Sequence, residues 1–196
     1  MFIGIACVLL GYVTGSLASA IITCRVMGLP DPRTQGSTNP GATNVLRIGG
    51  RRAAAITLFG DILKGLLPVL LARALSDAVG VWAVTAIAAF VGHLYPIFFR
   101  FQGGKGVATA FGAVLGLAWP VALAMLATWI LMAVIFRYSS LAALTAAVLA
   151  PVYTFLLTAP PALLVAIVII SVLTVWRHRT NLRRLFSGEE EKFGAR

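Results

Sequence analysis

VATAFGAVLGLAWPVALAMLATWILMAVIF, Val107 to Phe136, is the stretch on which the fold turns. It is longer than the roughly 20 apolar residues that one membrane helix needs, and shorter than two full spans. Gly116 and Trp119-Pro120 interrupt it, and a proline stops or kinks a helix on its N-terminal side. Working outward, three apolar runs precede it, at Phe2 to Cys24, Ala53 to Ala74 and Gly80 to Phe98. Two follow, at Leu141 to Leu157 and Ala162 to Trp176. If the stretch crosses once, the arginine-rich tail after Trp176 falls outside, against the positive-inside rule. If it forms two short helices, the tail joins Arg25, Arg33, Arg100, Lys105 and Arg137 on the inner side, and Arg73 is left as the main external basic residue. The second arrangement is the expected one. It gives an all-α integral membrane protein, a compact bundle of seven transmembrane helices, some short, with the N-terminus outside and the C-terminus cytoplasmic.

Composition agrees with a membrane protein. The chain of 196 residues is 60% hydrophobic and 11% charged, with a mean hydropathy of +0.95, too apolar for a soluble domain of this length. Seven crossings leave no room for a separate globular domain, so residues 1–196 are expected to be a single polytopic unit, with its chemistry in short loops. The formal charge of +10 lies beside apolar runs and is not interleaved with aromatic strings, so nucleic acid is not an expected partner. Cys7 and Cys24 sit near opposite ends of one apolar run, too far apart along a helix for a disulfide, and read as packing residues. With two histidines and no ligand spacing around them, neither a metal nor another cofactor is expected. The N-terminal run reaches Ala18-Ser19-Ala20 but lacks a preceding positive segment, so it reads as a retained helix rather than a signal peptide.

Three polar segments interrupt the apolar frame. In GSTNPGATNVLR (Gly36 to Arg47), Asn39-Pro40 reads as an N-cap followed by a first-turn proline. Thr43, Asn44 and Arg47 then fall near one face of a short helix. In GHLYPIFFRFQGGKGVAT (Gly92 to Thr109), Lys105 sits among glycines just before a helix start, where backbone N–H groups favour an anion. The spacing is not that of a nucleotide-binding P-loop. His93 reads as a packing or hydrogen-bonding histidine. In WRHRTNLRR (Trp176 to Arg184), His178 and Asn181 are spaced to share a helix face, and Arg179 and Arg183 read as a juxtamembrane anchor. Asp61 and Lys64, three apart within an apolar run, are expected to pair. Ser139 and Ser140 are weaker candidates, and the tail after Gly188 reads as a short solvated end. The combination of cations, amides and glycines points to a membrane protein that handles phosphorylated molecules.

Taken together, GSTNPGATNVLR, GHLYPIFFRFQGGKGVAT and RHRTNLRRLFSGEE resemble the three cytoplasmic motifs of the bacterial PlsY family, acyl-phosphate:glycerol-3-phosphate acyltransferases of the cytoplasmic membrane. The resemblance implies transfer of a fatty acyl group from acyl phosphate to glycerol 3-phosphate. The products would be lysophosphatidic acid and inorganic phosphate, in the first acylation of phospholipid synthesis. It implies Lys105, Arg47, His178 and Asn181 as catalytic residues, and Ser37, Asn39, Thr43, Asn44, Gly103 and Gly104 as substrate-binding residues. Glu190 corresponds to the acid of a closing GxE pattern, and Leu182 stands where isoleucine is common. Acyl phosphate is already activated, so no covalent acyl-enzyme is needed. The HxxxxD pattern associated with thioester donors is absent after His93 and after His178. The competing reading is a transporter of an organic phosphate, with a binding protein for anionic headgroups of membrane lipids third. Acyl-chain preference and oligomeric state have no signature in the sequence.

Overall fold

The computed structural model describes residues 2–158 and 160–192. Among the described residues all regular structure is helical. The helices are α1 (Phe2–Gly15), α2 (Ser19–Val26), α3 (Ala42–Leu75), α4 (Val79–Leu94), α5 (Val107–Leu117), α6 (Trp119–Phe136), α7 (Ser139–Leu157), α8 (Pro161–Arg177) and α9 (Arg179–Phe186). A single 3₁₀ turn, Ile97–Phe99, follows α4.

The stretch Val107 to Phe136 is two helices. Ala118 between them is non-helical (φ −154°, ψ 89°), and Pro120 occupies the first turn of α6, where its missing N–H costs nothing. The 11 residues of α5 rise only about 16 Å, little more than half of the hydrocarbon thickness. Four helical segments are long and apolar enough to cross alone: Ala42–Leu75, Val79–Phe99, Trp119–Phe136 and Ser139–Leu157. Two bent pairs, α1 with α2 at 43° and α8 with α9 at 57°, raise that number to six if each pair is one span.

Two boundaries differ from the hydropathy reading, each for a local reason. The first apolar run bends at residues 16–18, and the Leu17 carbonyl freed by the bend accepts a hydrogen bond from Lys64 Nζ at 2.8 Å. The second begins at Ala42, because the polar residues 42–49 are also helical. Gly50 then breaks the helix with φ 75° and ψ −174°, a conformation that glycine adopts without strain.

The chain forms two compact units, Met1–Leu117 and Ala118–Arg196. In the first, α1 packs on α4, and α3 packs on α1, α2, α4 and α5. These helices meet backbone to backbone. A methyl group on Gly15 would overlap the Ala89 carbonyl, one on Gly92 the Tyr12 carbonyl, one on Gly65 the Thr109 carbonyl, and one on Gly112 the Ile62 carbonyl. Small residues allow this approach where no water-driven hydrophobic effect pulls helices together. Arg73 is held as well: its Nη1 donates to the Gly116 carbonyl at 2.8 Å, and its guanidinium lies 5.0 Å from the Trp82 ring centre. That satisfies a carbonyl at the C-terminal end of α5. Cys7 and Cys24 are buried free thiols, as their reading as packing residues expects.

In the second unit α7 packs on both α6 and α8. Its buried residues are mostly alanine, Ala142, Ala143, Ala146, Ala147 and Ala150, joined by Ser140, Leu144 and Thr154. A hydroxyl pair, Thr128 Oγ1 with the Tyr153 phenol at 2.7 Å, ties α6 to α7. Elsewhere α6 turns Leu131, Val134 and Ile135 outward, the composition expected of a surface that faces lipid.

Candidate active site

The loop before α3 is fastened by one side chain. Asn44, 1% exposed, donates from Nδ2 to the carbonyls of Pro32 (2.8 Å) and Gln35 (3.0 Å), and its Oδ1 accepts the Ser37 N–H at 2.9 Å. Both amide hydrogens are therefore committed to the loop. Gly36, next to Asn44 Oδ1, and Thr38 both have positive φ, so the chain reverses tightly here. An Arg33 to Asp31 fork closes the loop's base, with Nη2 to Oδ2 at 2.6 Å and Nε to Oδ1 at 3.0 Å. The hydrogen bonds from Arg33 hold the Asp31 carboxyl below its usual range.

The expected N-cap is displaced. Helix α3 starts at Ala42 with Gly41 in the capping position and no side-chain cap. Asn39 stands two residues earlier, its carbonyl accepting the Gly41 N–H at 2.9 Å. The loop closes through backbone, so the asparagine side chain is not needed to start the helix. Ser37, Asn39 and Thr43 are half-buried, and Arg47 on the first turns of α3 is exposed.

The second motif lies against the first. At Gly104 a Cβ would stand 3.0 Å from the Pro40 carbonyl oxygen and 2.5 Å from His93 Nε2. At Gly103 it would run into the carbonyls of His93 and Leu94, and at Gly106, where φ is +82°, into the Phe90 ring. Each glycine is thus required by close approach of other groups. Lys105, half-buried, sits between Gly104 and Gly106 just ahead of the start of α5.

Beneath this loop is a buried polar cluster. Lys64 Nζ lies 2.8 Å from Asp61 Oδ1, which confirms the expected pair. His93 Nδ1 lies 3.6 Å from the same oxygen and 3.1 Å from Thr109 Oγ1. His93 is therefore a buried, hydrogen-bonded histidine, in line with its sequence reading. Thr109 was not legible as a member: a threonine in the first turn of an apolar helix carries no signal until α4 and α5 are seen to pack.

In the second unit, His178 caps the N-terminus of α9, its carbonyl accepting the Leu182 N–H at 2.9 Å, and Asn181 follows within the first turn of the same helix. His178 is the hinge residue between α8 and α9, and the 57° bend there separates the two axes. His178 is 3% exposed. Its Nδ1 lies 2.8 Å from the Thr174 carbonyl. A carbonyl only accepts, so the neutral ring carries its proton on Nδ1 and its lone pair on Nε2. Asn181 Nδ2 donates to Glu190 Oε1 at 2.7 Å. Residues 189–192 are largely exposed, as a solvated end would be, yet Glu190 is tied to Asn181 and Lys192 lies 5.4 Å above the Tyr138 ring. Arg179 covers the Trp176 ring at 4.8 Å, as an interfacial anchor would. Ser139 and Ser140 start α7, and Ser140 is buried.

Against known proteins, residues 5–188 match the family described as glycerol-3-phosphate acyltransferase. A glycerol-3-phosphate acyltransferase of Methylococcus capsulatus is 57% identical over 94% of this chain and 93% of its own. One from Thioalkalivibrio sulfidiphilus is 57% identical over 99% of this chain and 96% of its own. Among solved structures, the glycerol 3-phosphate form of PlsY, an integral membrane glycerol 3-phosphate acyltransferase, superposes with a TM-score of 0.93. It is 38% identical, covering 97% of this chain and 96% of that one. A lysophosphatidic acid form of PlsY gives 0.91 at 37% identity, over 97% and 95% of the two chains.

Proposed function

Because the chain belongs to the PlsY family of integral membrane glycerol-3-phosphate acyltransferases, we propose that it moves a fatty acyl group from acyl phosphate to glycerol 3-phosphate. The products are lysophosphatidic acid and inorganic phosphate, in the first acylation of phospholipid synthesis. The observation that supports this reading is the close approach of Gly104 to the Pro40 carbonyl, which brings the Gly36 to Arg47 and Gly103 to Lys105 segments against each other. The whole chain acts as one domain in the bacterial inner membrane. Seven crossings, N-terminus out and C-terminus in, with α5 as a short span, turn all three motifs to the cytoplasm.

The glycerol hydroxyl oxygen attacks the acyl carbonyl carbon, the bond from that carbon to the phosphate oxygen breaks, and phosphate leaves. Arg47 and Lys105 stabilise the charge that develops on the departing phosphate. Ser37, Asn39, Thr43, Gly103 and Gly104 line the site, and Asn44 shapes its loop. His178 is one candidate acceptor for the hydroxyl proton. A substrate phosphate oxygen is the other candidate acceptor. Asn181, oriented by Glu190, is the second catalytic candidate of the third motif.

Purified protein in detergent, given acyl phosphate and glycerol 3-phosphate beside an acyl-CoA control, is expected to release equal amounts of lysophosphatidic acid and phosphate from acyl phosphate alone. Equal use of acyl-CoA overturns the choice of donor. No lipid product, with labelled glycerol 3-phosphate accumulating in sealed vesicles, identifies a transporter instead. Lys105→Ala is expected to lower kcat about 10²–10³-fold. Near-normal turnover of His178→Ala at saturating substrate removes His178 as base.

A further inference from the structure

Charge neutrality explains Asp61 and Lys64 but not their neighbours. The two side chains, 3% and 4% exposed, pair at 2.8 Å, and Lys64 also reaches the Leu17 carbonyl, so the buried charges are already balanced. Yet helix α4 adds His93 and helix α5 adds Thr109, which hold the imidazole through one edge: Nδ1 lies 3.1 Å from the hydroxyl and 3.6 Å from the carboxylate. A ring fixed at Nδ1 is a fixed wall at Nε2. Against that wall lies the backbone of Gly104, with the Pro40 carbonyl on its other flank. The preceding Gly103 is pressed on the His93 carbonyl itself.

We propose that His93, locked by Thr109 and the Asp61–Lys64 pair, is a positioning residue that sets the register of the Gly103–Lys105 loop against the Gly36–Arg47 loop. The proposal rests on the reading of these loops as the phosphate-binding site. Three helices converge on the ring: α3 through Asp61, α4 through His93 and α5 through Thr109. Its height is therefore set by the most tightly packed part of the unit, where backbone meets backbone at Gly65 and Gly112. A displacement of the loop by about 1 Å is enough to cost on the order of a hundredfold in rate, so such a support has a kinetic consequence. His93 transfers no proton in this scheme and touches no reacting atom.

Thr109→Val keeps the shape and removes the hydroxyl; Thr109→Ser keeps the hydroxyl. The expected result is a fall of up to about tenfold in kcat/KM for glycerol 3-phosphate with Val, recovery with Ser, and a cooperative thermal unfolding transition in detergent for both. In a Lys105→Ala background the valine substitution is expected to have no further effect, because the group being positioned is gone. Should Thr109→Val not fold, His93→Asn provides the same comparison, since its amide matches Nδ1 and removes the Nε2 edge. No loss for Val, equal losses for Val and Ser, or an undiminished loss in the Lys105→Ala background each overturns the positioning role. Full activity of Lys105→Ala alone instead refutes the phosphate-loop reading beneath it, and that single variant reports it separately.

Discussion

In Met1–Leu117 the helices approach until a glycine meets a neighbour's carbonyl, whereas in Ala118–Arg196 helix α7 meets its neighbours through a row of alanine methyls. The first unit also buries a carboxylate, an ammonium and an imidazole together, while the central contact between α6 and α7 in the second is a pair of hydroxyls. Backbone contact leaves little room for sliding, so loops carried by such helices inherit a fixed height. Methyl contacts tolerate small shifts more readily. The first unit accordingly carries two loops in mutual contact, and the second carries a hinge at His178 with its asparagine steadied by a folded-back acid.

Asp61→Ala is the strongest test of that contrast. It strands Lys64 in the apolar layer and should cost about 3–5 kcal/mol in detergent unfolding, whereas Asp61→Leu combined with Lys64→Met should recover most of the loss. An unaltered melting temperature for Asp61→Ala would mean that the buried charges do not stabilise the first unit. Next in size, Gly15→Ala or Gly112→Ala should cost about 1–3 kcal/mol, because the new methyl overlaps the Ala89 or Ile62 carbonyl. Ala146→Gly on α7 should cost only about 0.5–1 kcal/mol. If the glycine and alanine substitutions prove equal by the same melting assay, the difference in packing carries no energetic weight.

Thr128→Val removes the hydroxyl pair of the second unit and should cost about 1 kcal/mol, read from thermal unfolding beside a Tyr153→Phe control that should give the same value. The smallest effect belongs to the Asp31–Arg33 fork, about 0–1 kcal/mol because both groups are part-exposed. The Asp31 carboxyl is held below its usual range when folded. Its contribution is therefore complete above about pH 4 and drains as pH falls through the depressed value. Asp31→Asn should flatten that part of the pH–stability curve, and an unchanged acid limb removes the fork from the account.

Much of this was legible in residue order. Trp119-Pro120 marked the division of the long apolar stretch, since proline cannot continue a helix from its own N-terminal side. Asp61 and Lys64 announced their pairing by a spacing of three in an apolar run. The three motifs carried the family. The misplaced features share one cause: they depend on what backbone groups elsewhere do. Asn39 looked like a cap, but Gly41 closed the turn through the chain itself. The apolar run and the polar residues after it looked continuous, but the helix bends by 57° between α8 and α9. The tail after Gly188 looked solvated, and its described residues mostly are, but the bond between Glu190 and Asn181 had no signal in residue order.

By itself, then, the sequence determined the helical frame, its apolar spans and the chemical character of the loops, because hydropathy, proline and charge act over a few neighbouring residues. Only the tertiary structure decided that Asn44 spends its amide on the loop, that Gly104 is pinned between His93 and Pro40, and that Thr109 belongs with Asp61. Those are contacts between helices distant in the chain. Their geometry follows from how closely backbones can approach, which no local pattern encodes.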